Sequence, residues 1–190
     1  IAHTSTETLC YYFPLAYGHL HDTMKKLYEE EPGMFPNFPG ASLYPCCTAN
    51  LGPHTACVDH LDMLNYPGCP CVLTALGDFD PNVGGHLYFP QLRLYIRFPP
   101  GCTALLCSAA LRHGNTRLLD PKQKRFSFTQ FVPGGLVRHV QLGFTLAGPD
   151  KAERLAKEGG INNRRDEQLG RLSTRESLSR DRAQLQREHT

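Results

Sequence analysis

The stretch "VDHLDML", residues 58–64, places His60 and Asp62 two positions apart. Both residues lie in the segment 56–62, which we predict to be a β-strand. Successive side chains of a strand alternate between its two faces, so both residues would project from the same face. A histidine and a carboxylate side by side are potential metal ligands. The pair alone is weak evidence, because a His-x-Asp pair also arises by chance in a chain with nine histidines. A third ligand and a suitable fold are needed.

The composition indicates a globular chain with a sizeable core. It has 190 residues, of which 41% are hydrophobic, so we expect one domain with an appendage. Because the first residue is Ile1 and not Met, we expect a fragment or a processed chain. No apolar run approaches the roughly 18 residues that span a bilayer, and no signal peptide is visible. We therefore predict an intracellular protein without membrane association, nuclear or cytoplasmic.

The charge is concentrated at the C-terminal end of the chain. Residues 150–190 contain ten Lys/Arg and eight Asp/Glu, which accounts for the whole formal net charge of +2. Residues 1–149 are thus formally neutral. A dedicated nucleic-acid-binding protein usually presents a basic face, and the composition of this part does not indicate one.

The eight cysteines are interpreted mainly as reduced thiols. Secreted disulfide scaffolds are usually shorter and richer in cysteine, and cysteines within an apolar run such as "CTALLCS" (102–108) behave as small hydrophobic residues. Two alternatives stay open, a disulfide between the pairs Cys46/Cys47 and Cys69/Cys71, or a zinc knuckle that uses all four. The spacing of these cysteines is not the Cys-x2-Cys typical of zinc sites.

Turn residues divide the central part of the chain into short apolar runs. Eight candidate strands lie at 43–51, 56–62, 71–78, 85–89, 92–98, 102–108, 125–131 and 136–142. Many short strands with frequent Pro/Gly turns are typical of a sandwich, barrel or jelly roll, so we predict a mainly β fold.

The two ends of the chain have a different character. Residues 1–42 are predicted to form an N-terminal helical and loop support, with a helix that ends before Pro32. The β core is predicted over 43–149. Residues 150–190 form a polar, charged tail that is helical or disordered, with a thin apolar stripe at Leu178 and Leu185.

In a jelly roll, the His60-x-Asp62 pair could form part of a 2-His-1-carboxylate triad. Such a triad binds non-haem Fe(II) through three protein ligands and leaves the other coordination positions open. His113, in "ALRHGN", follows an apolar strand and supplies a third ligand far along the chain. In "KRFSFTQF" (124–131), Arg125 and Ser127 share one face of a strand. An inward-facing arginine requires an anion, and a dicarboxylate that also chelates the metal, such as 2-oxoglutarate, fits.

At this point the sequence resembles the Fe(II)/2-oxoglutarate-dependent dioxygenase superfamily, and most of all the fungal and protist TET/JBP-type oxygenase domains. The resemblance lies in the order of five elements over about residues 46–145. These are His60-x-Asp62, the "GGHL" turn of 84–87, the "FPPG" turn of 98–101, His113 and Arg125-x-Ser127.

The resemblance implies a double-stranded β-helix (jelly roll) fold with His60, Asp62 and His113 as catalytic metal ligands. It implies Fe(II), 2-oxoglutarate as cosubstrate bound by Arg125 and Ser127, O2, and ascorbate as an optional reductant. The relatives oxidise the methyl group of 5-methylpyrimidines, which makes DNA or RNA containing modified bases a candidate partner. The cysteine-rich region of animal TET proteins is absent, and no base-reading residues can be matched.

Alternative functions and ligands stay open at this stage. Three competing functions remain: Fe(II)/2-oxoglutarate hydroxylation of a protein or a small molecule, a non-catalytic β-helix domain that binds a partner, and a zinc module bound by the cysteines. Asn50 and Tyr44 are candidate partners of the cosubstrate. Three further histidines, His54, His86 and His139, are expected to be ordinary core or surface residues. The sequence does not indicate an oligomeric state.

Overall fold

The computed structural model describes residues 1–145, 151–157 and 159–189. The chain divides into two compact units, one formed by Ile1 and Cys46–Phe131, the other by Ala2–Pro45 together with Val132–Thr190. The first unit is narrower than the predicted core of 43–149, because residues 132–145 belong to the second unit. The predicted boundary between residues 149 and 150 lies outside the described residues.

The first unit is built on two antiparallel sheets. One sheet has four strands in the order β1-β7-β2-β5, and the other has three in the order β4-β3-β6. The strands are β1 (Cys46–Asn50), β2 (Cys71–Asp78), β3 (Leu87–Phe89), β4 (Leu94–Ile96), β5 (Thr103–Leu106), β6 (Gly114–Asn115) and β7 (Lys124–Phe131), with a short 3-10 helix at Pro90–Leu92 between β3 and β4.

Strand β7 is central to the four-stranded sheet, because it pairs with β1 on one side and β2 on the other. Its register sets Ser127 opposite Asn50 on β1, and Arg125 opposite Gly77 on β2. The hydrophobic core receives side chains from both sheets, including Cys71 and Ala75 from β2 and Leu87 from β3. Burial of this apolar surface holds the site-bearing strands in place.

The regular elements of the second unit, over its described residues, are all helices. Helix α2 begins with Pro14, which suits the first turn because its missing N–H would have no partner there. It buries Leu20, Met24 and Leu27 at helical spacing, and it packs against α1, α3 and α6. The helices are α1 (Ala2–Tyr12), α2 (Pro14–Glu30), α3 (Gly134–Gln141), α4 (Lys151–Lys157), α5 (Ile161–Leu169) and α6 (Leu178–His189).

The N-terminal helix and the helical character of the tail agree with the sequence, and α6 buries Leu185. No helix in the described ranges is long and apolar enough to cross a membrane.

The prediction of a mainly β fold is confirmed in part: the described residues form a sheet-rich mixture of helix and antiparallel sheet, in which the helices contain more residues than the strands. Two of the predicted strands are wrong. The predicted strand 136–142 lies in α3, because Leu136, Val137 and Val140 also match helical spacing and a short apolar run does not separate the two possibilities. The predicted strand 56–62 is an extended loop with a single bridge at His60.

Candidate metal centre

Backbone hydrogen bonds bring His60 and His113 side by side from distant parts of the chain. The N–H of His60 donates to the carbonyl of His113 (3.0 Å), and the N–H of His113 donates to the carbonyl of His60 (3.1 Å). His113 directly precedes β6. The N–H of Asp62 donates to the carbonyl of Ser108 (3.0 Å). The loop that contains His60 and Asp62 is therefore fixed to the segment that leads to His113, without a regular strand.

The side chains of His60, Asp62 and His113 converge. Their three potential ligand atoms lie within 4.8 Å of one another, the only such group of three or more His, Cys, Asp or Glu in the described part of the chain. Nε2 of His60 is 3.4 Å from Oδ1 of Asp62, and Nε2 of His113 is 3.9 Å from Oδ2. These three residues could hold a metal ion. The structure thus brings together all three residues that the sequence proposed as metal ligands.

The second nitrogen of each imidazole determines which nitrogen is available to a metal. Nδ1 of His60 lies 2.9 Å from the carbonyl oxygen of Val58, and Nδ1 of His113 lies 3.0 Å from that of Leu111. A carbonyl oxygen only accepts, so each Nδ1 carries a hydrogen, and the neutral ring then has its lone pair on Nε2. This is the arrangement of metal-bound histidines, whose other ring nitrogen donates to a backbone carbonyl or carboxylate.

The carboxylate of Asp62 is held in a similar way. Nδ2 of Asn65 donates to Oδ2 of Asp62 (3.2 Å) and to Oγ of Ser108 (3.0 Å). Sequence reasoning missed Asn65 and Ser108. Asn65 lies three residues beyond Asp62, the spacing of a local turn, and its backbone N–H also donates to the carbonyl of Asp62 (2.9 Å).

Electrostatics favour a cation between these groups. Burial lowers the pKa of His113 below the ordinary histidine value, and the charge of nearby His60 acts in the same direction. Burial therefore favours the neutral form of His113, in which Nε2 directs a lone pair, and not a proton, towards Asp62. A lone pair and a carboxylate that face each other favour a cation between them. The donor set of two imidazoles and one carboxylate fits Fe(II).

Arg125 lies on β7 with only 1% of its surface exposed. Nη1 donates to the carbonyl of Thr55 (3.2 Å), whereas the buried Nε has no hydrogen-bond partner among the described residues. Burial lowers the pKa of the guanidinium, and no Asp or Glu in the described ranges forms an ion pair with it. Gly85 leaves room for the arginine stem, because a Cβ there would lie 3.2 Å from Cδ of Arg125 and 2.6 Å from the Phe79 ring.

Ser127 is buried on the same face of β7 as Arg125. Its Oγ accepts a hydrogen bond from Nδ2 of Asn50 (3.0 Å), so its own proton is available to another acceptor. Asn50, a candidate from the sequence, therefore lies beside Ser127. Tyr44, the other candidate, falls in the other compact unit and does not line the cavity that contains Ser127.

The metal triad, Arg125 and Ser127 line one cavity of about 320 Å³, which is within the usual range for small-molecule sites. Its apolar wall is formed by Leu73, Leu87, Leu106 and Phe131, and its other lining residues include Thr48, Asn50, Cys57, Asn65, Cys71, Gly114, Asn115 and Thr129. The cavity thus has metal donors, a buried cation and an apolar wall.

Gly114 and Asn115, directly after His113, were also missed from the sequence. A Cβ on Gly114 would lie 2.6 Å from the hydroxyl oxygen of Tyr88 and 2.7 Å from the carbonyl oxygen of Cys57. The Asn115 side chain accepts from the N–H of Cys57 (3.0 Å) and donates to the carbonyl of Thr55 (2.9 Å). The "HGN" turn therefore requires glycine and asparagine to fix His113 against the His60 loop.

The competing ligands are not assembled. None of the eight cysteines is assigned to a disulfide, and among the described residues none of them joins a group of three potential ligands, so the structure does not support the zinc knuckle. The three further histidines contact other groups: His54 pairs with the Pro121 carbonyl, His86 with Thr116 and His139 with Glu31.

Comparisons with known proteins give limited similarity. No family model matches the sequence, and a search of the curated proteins finds no match. A matching solved structure is described as NgTET1 in complex with 5mC DNA, with 18% sequence identity and a TM-score of 0.45. The match covers 59% of this chain and 42% of that chain, so this chain corresponds to less than half of the solved one. Membership of the superfamily is therefore a proposal that rests on the residues described above.

Proposed function

We propose that this chain is a non-haem Fe(II)/2-oxoglutarate dioxygenase that hydroxylates a C–H bond, with a double-stranded β-helix core within residues 43–149. His60, Asp62 and His113 hold Fe(II), while Arg125 and Ser127 bind the distal carboxylate of 2-oxoglutarate. The observation that supports this best is one cavity that contains both three converging metal donors and a buried arginine whose Nε has no partner. A molecule that chelates a metal at one end and has a carboxylate at the other satisfies both.

The number of protein donors favours a catalytic over a structural metal. Structural zinc sites are closed by four protein ligands, whereas this group offers three. Three protein ligands leave positions for a cosubstrate and O2. When bound, Fe(II) and 2-oxoglutarate would activate O2, the oxidant of the reaction: 2-oxoglutarate is oxidised to succinate and CO2 and takes up one oxygen atom, and the other oxygen atom gives the hydroxylated substrate.

The chain's own residues supply orientation and a dry cavity. The backbone carbonyls of Val58 and Leu111 keep the hydrogen on Nδ1 of each histidine, so Nε2 stays available. Asn65 fixes the carboxylate of Asp62. Nε of Arg125 donates to the distal carboxylate, and the Ser127 hydroxyl, oriented by Asn50, donates beside it. The apolar wall of the cavity excludes water, which strengthens each of these interactions.

The proposed substrate is the methyl group of a 5-methylpyrimidine in DNA or RNA. This part of the proposal is supported by the order of motifs that resembles the TET/JBP-type domains. A duplex substrate would have to place the flipped base in the cavity.

A second substrate class is favoured by the surface next to the ligands. Val58, Met63 and Leu64 are more than 80% exposed and lie within two residues of His60 or Asp62. Of the described residues that line the cavity, Arg125 is the only lysine or arginine. Exposed apolar side chains beside a cavity whose only described basic lining residue is Arg125 suit an apolar protein segment or a small molecule.

Succinate formation tests the proposed function. Iron-loaded protein is incubated with 2-oxoglutarate and O2, with a 5-methylcytosine oligonucleotide, its unmethylated counterpart or a peptide library, and His113→Ala is the inactive control. The proposal predicts substrate-dependent succinate that is absent in the variant. Activity on methylated oligonucleotide alone, with affinity that falls steeply with salt, would select nucleic acid. Activity on peptides alone would indicate a protein substrate. Absence of succinate formation with every substrate would contradict the proposal that this chain is an enzyme.

A further inference from the structure

Asp59 and Arg112 directly precede the two proposed histidine ligands, one on each of the segments that meet at the site. Nε of Arg112 donates to Oδ2 of Asp59 (2.8 Å), and Nη2 donates to the same oxygen (2.5 Å) and to the carbonyl oxygen of Asp59 (3.0 Å). The two residues are 53 positions apart in sequence. The guanidinium thus contacts both the side chain and the backbone of the residue before His60.

The backbone of Arg112 is fixed as well, because its N–H donates to Oε1 of Gln91 (2.7 Å). Neither Asp59 nor Arg112 lines the cavity. Any influence on a bound metal therefore acts through the adjacent histidines.

We infer that Asp59 and Arg112 are a positioning pair, which fixes the separation of the His60 and His113 imidazoles and so raises the affinity of the site for its metal. The inference rests on the proposed function. Its basis is geometric: the histidine backbones exchange two hydrogen bonds, and the ion pair adds three more, one residue away. Five hydrogen bonds across two adjacent positions restrict the rotation of one ligand segment against the other.

Replacement of Asp59 or Arg112 should change the metal affinity of the site but not the stability of the fold. Both side chains are about two-fifths exposed, and an ion pair of that exposure adds little to the stability of a fold. Residues that orient metal ligands, in contrast, typically change metal affinity by about 10- to 100-fold when they are replaced. We expect the lower end, about tenfold, because the backbone bridge between the histidines remains.

The experiment measures metal affinity and apo-protein stability in the same set of variants. Arg112→Ala, Asp59→Ala and the double variant remove the side-chain contacts of the pair, and Arg112→Lys keeps the charge but not the two-point contact. Arg97→Ala is the matched control, since Arg97 is an exposed arginine of the same compact unit that hydrogen-bonds Asn82 instead. The apo-protein of residues 1–190 is titrated anaerobically with Fe(II), and with Co(II) for its visible absorption spectrum. The Tm of each apo-protein is recorded.

If the pair positions the histidines, each single variant should bind Fe(II) about tenfold more weakly than wild type, and the double variant should show no further loss of affinity. Arg112→Lys should retain part of the Fe(II) affinity, and the Co(II) spectrum of the variants should differ from that of wild type. The Tm of the apo-protein should stay unchanged, and Arg97→Ala should match wild type. Wild-type affinity in Arg112→Ala would overturn the inference while the proposed function stands. Absence of metal binding in the wild type would remove both.

Discussion

Replacement of Arg125 by methionine tests whether the buried cation binds the cosubstrate. The change keeps an unbranched side chain of similar reach while it removes the guanidinium. Because Nη1 already contacts Thr55, the edge formed by Nε and Nη2 is the part that can face a carboxylate. Two hydrogen bonds from a charged donor are worth about 1.5–3 kcal/mol each, so their loss should raise the Kd for 2-oxoglutarate at least about 100-fold.

The assay combines affinity with stability. Iron-loaded protein is titrated anaerobically with 2-oxoglutarate, and the visible charge-transfer band of the chelate gives the Kd. With ligand at about 100 times the wild-type Kd, the ligand should stabilise the wild-type fold by about 2.7 kcal/mol. A 100-fold weaker variant would keep only about 0.4 kcal/mol of this stabilisation.

The apo-protein provides the control. The buried guanidinium forms one hydrogen bond, to Thr55, but no ion pair with a carboxylate in the described ranges, and a buried charge that no opposite charge compensates destabilises a fold. Arg125→Met should therefore leave the apo-protein at least as stable as wild type. Metal affinity should also stay unchanged, since Arg125 is not one of the three metal donors. The reasoning would be refuted by a variant that binds 2-oxoglutarate as tightly as wild type, or by one whose apo-form is strongly destabilised.

Three further outcomes are expected. Ser127→Ala should weaken 2-oxoglutarate binding about 10- to 100-fold, measured by the same band, because one hydrogen bond to a carboxylate, worth about 1.5–3 kcal/mol, is lost; full affinity would exclude Ser127 from the site. Gly114→Ala should lower the free energy of unfolding in urea by about 1–3 kcal/mol, because a Cβ would lie 2.6 Å from the Tyr88 hydroxyl oxygen. Gly135→Ala is the control and should not lower it, because no atom lies within 4 Å of a Cβ there; equal effects of the two substitutions would contradict the close approach at Gly114. Burial lowers the pKa of His19 to about 4, so below about pH 6.5 the unfolded chain binds a proton that the folded chain does not. The free energy of unfolding should therefore fall between pH 6.5 and pH 4, and His19→Gln should reduce this fall; an identical pH profile would show that His19 is not responsible.

The local pattern of the sequence predicted much of the site. Alternation along "KRFSFTQF" placed Arg125 and Ser127 on one face of a strand, and β7 spans Lys124–Phe131 with both residues buried on the cavity side. Strand β2 has the predicted bounds, 71–78. Such elements are predictable because a half-buried strand leaves an alternating pattern in its own residues.

The geometry around the histidines was not predictable in the same way. The sequence argument placed His60 and Asp62 on one face of a strand, yet the residues converge from a loop. What aligns them is a bridge to His113 and a hydrogen bond from Asn65, and both depend on contacts with the Ser108–His113 region. Pairings between distant segments leave no periodic signal in either segment.

The division of the chain into two compact units was not predictable from the sequence for a similar reason. Residues 132–145 follow the sheet directly in sequence, yet they join the N-terminal helices in the second unit. The run "GGLVRHVQ" is short and apolar, which suits a strand or a helix equally well. Packing of α3 against α2 decides between them, and that contact joins residues about a hundred positions apart.

Anaerobic titration of the apo-protein with Fe(II) shows whether His60, Asp62 and His113 form a metal site. Wild-type protein should bind about one Fe(II) per chain, and addition of 2-oxoglutarate should then produce the visible charge-transfer band. His60→Ala and His113→Ala should each abolish the band and weaken Fe(II) binding strongly, whereas His86→Ala, whose imidazole contacts Thr116, should behave as wild type. Wild-type protein that binds no Fe(II), or binding that survives both ligand substitutions, would contradict the account.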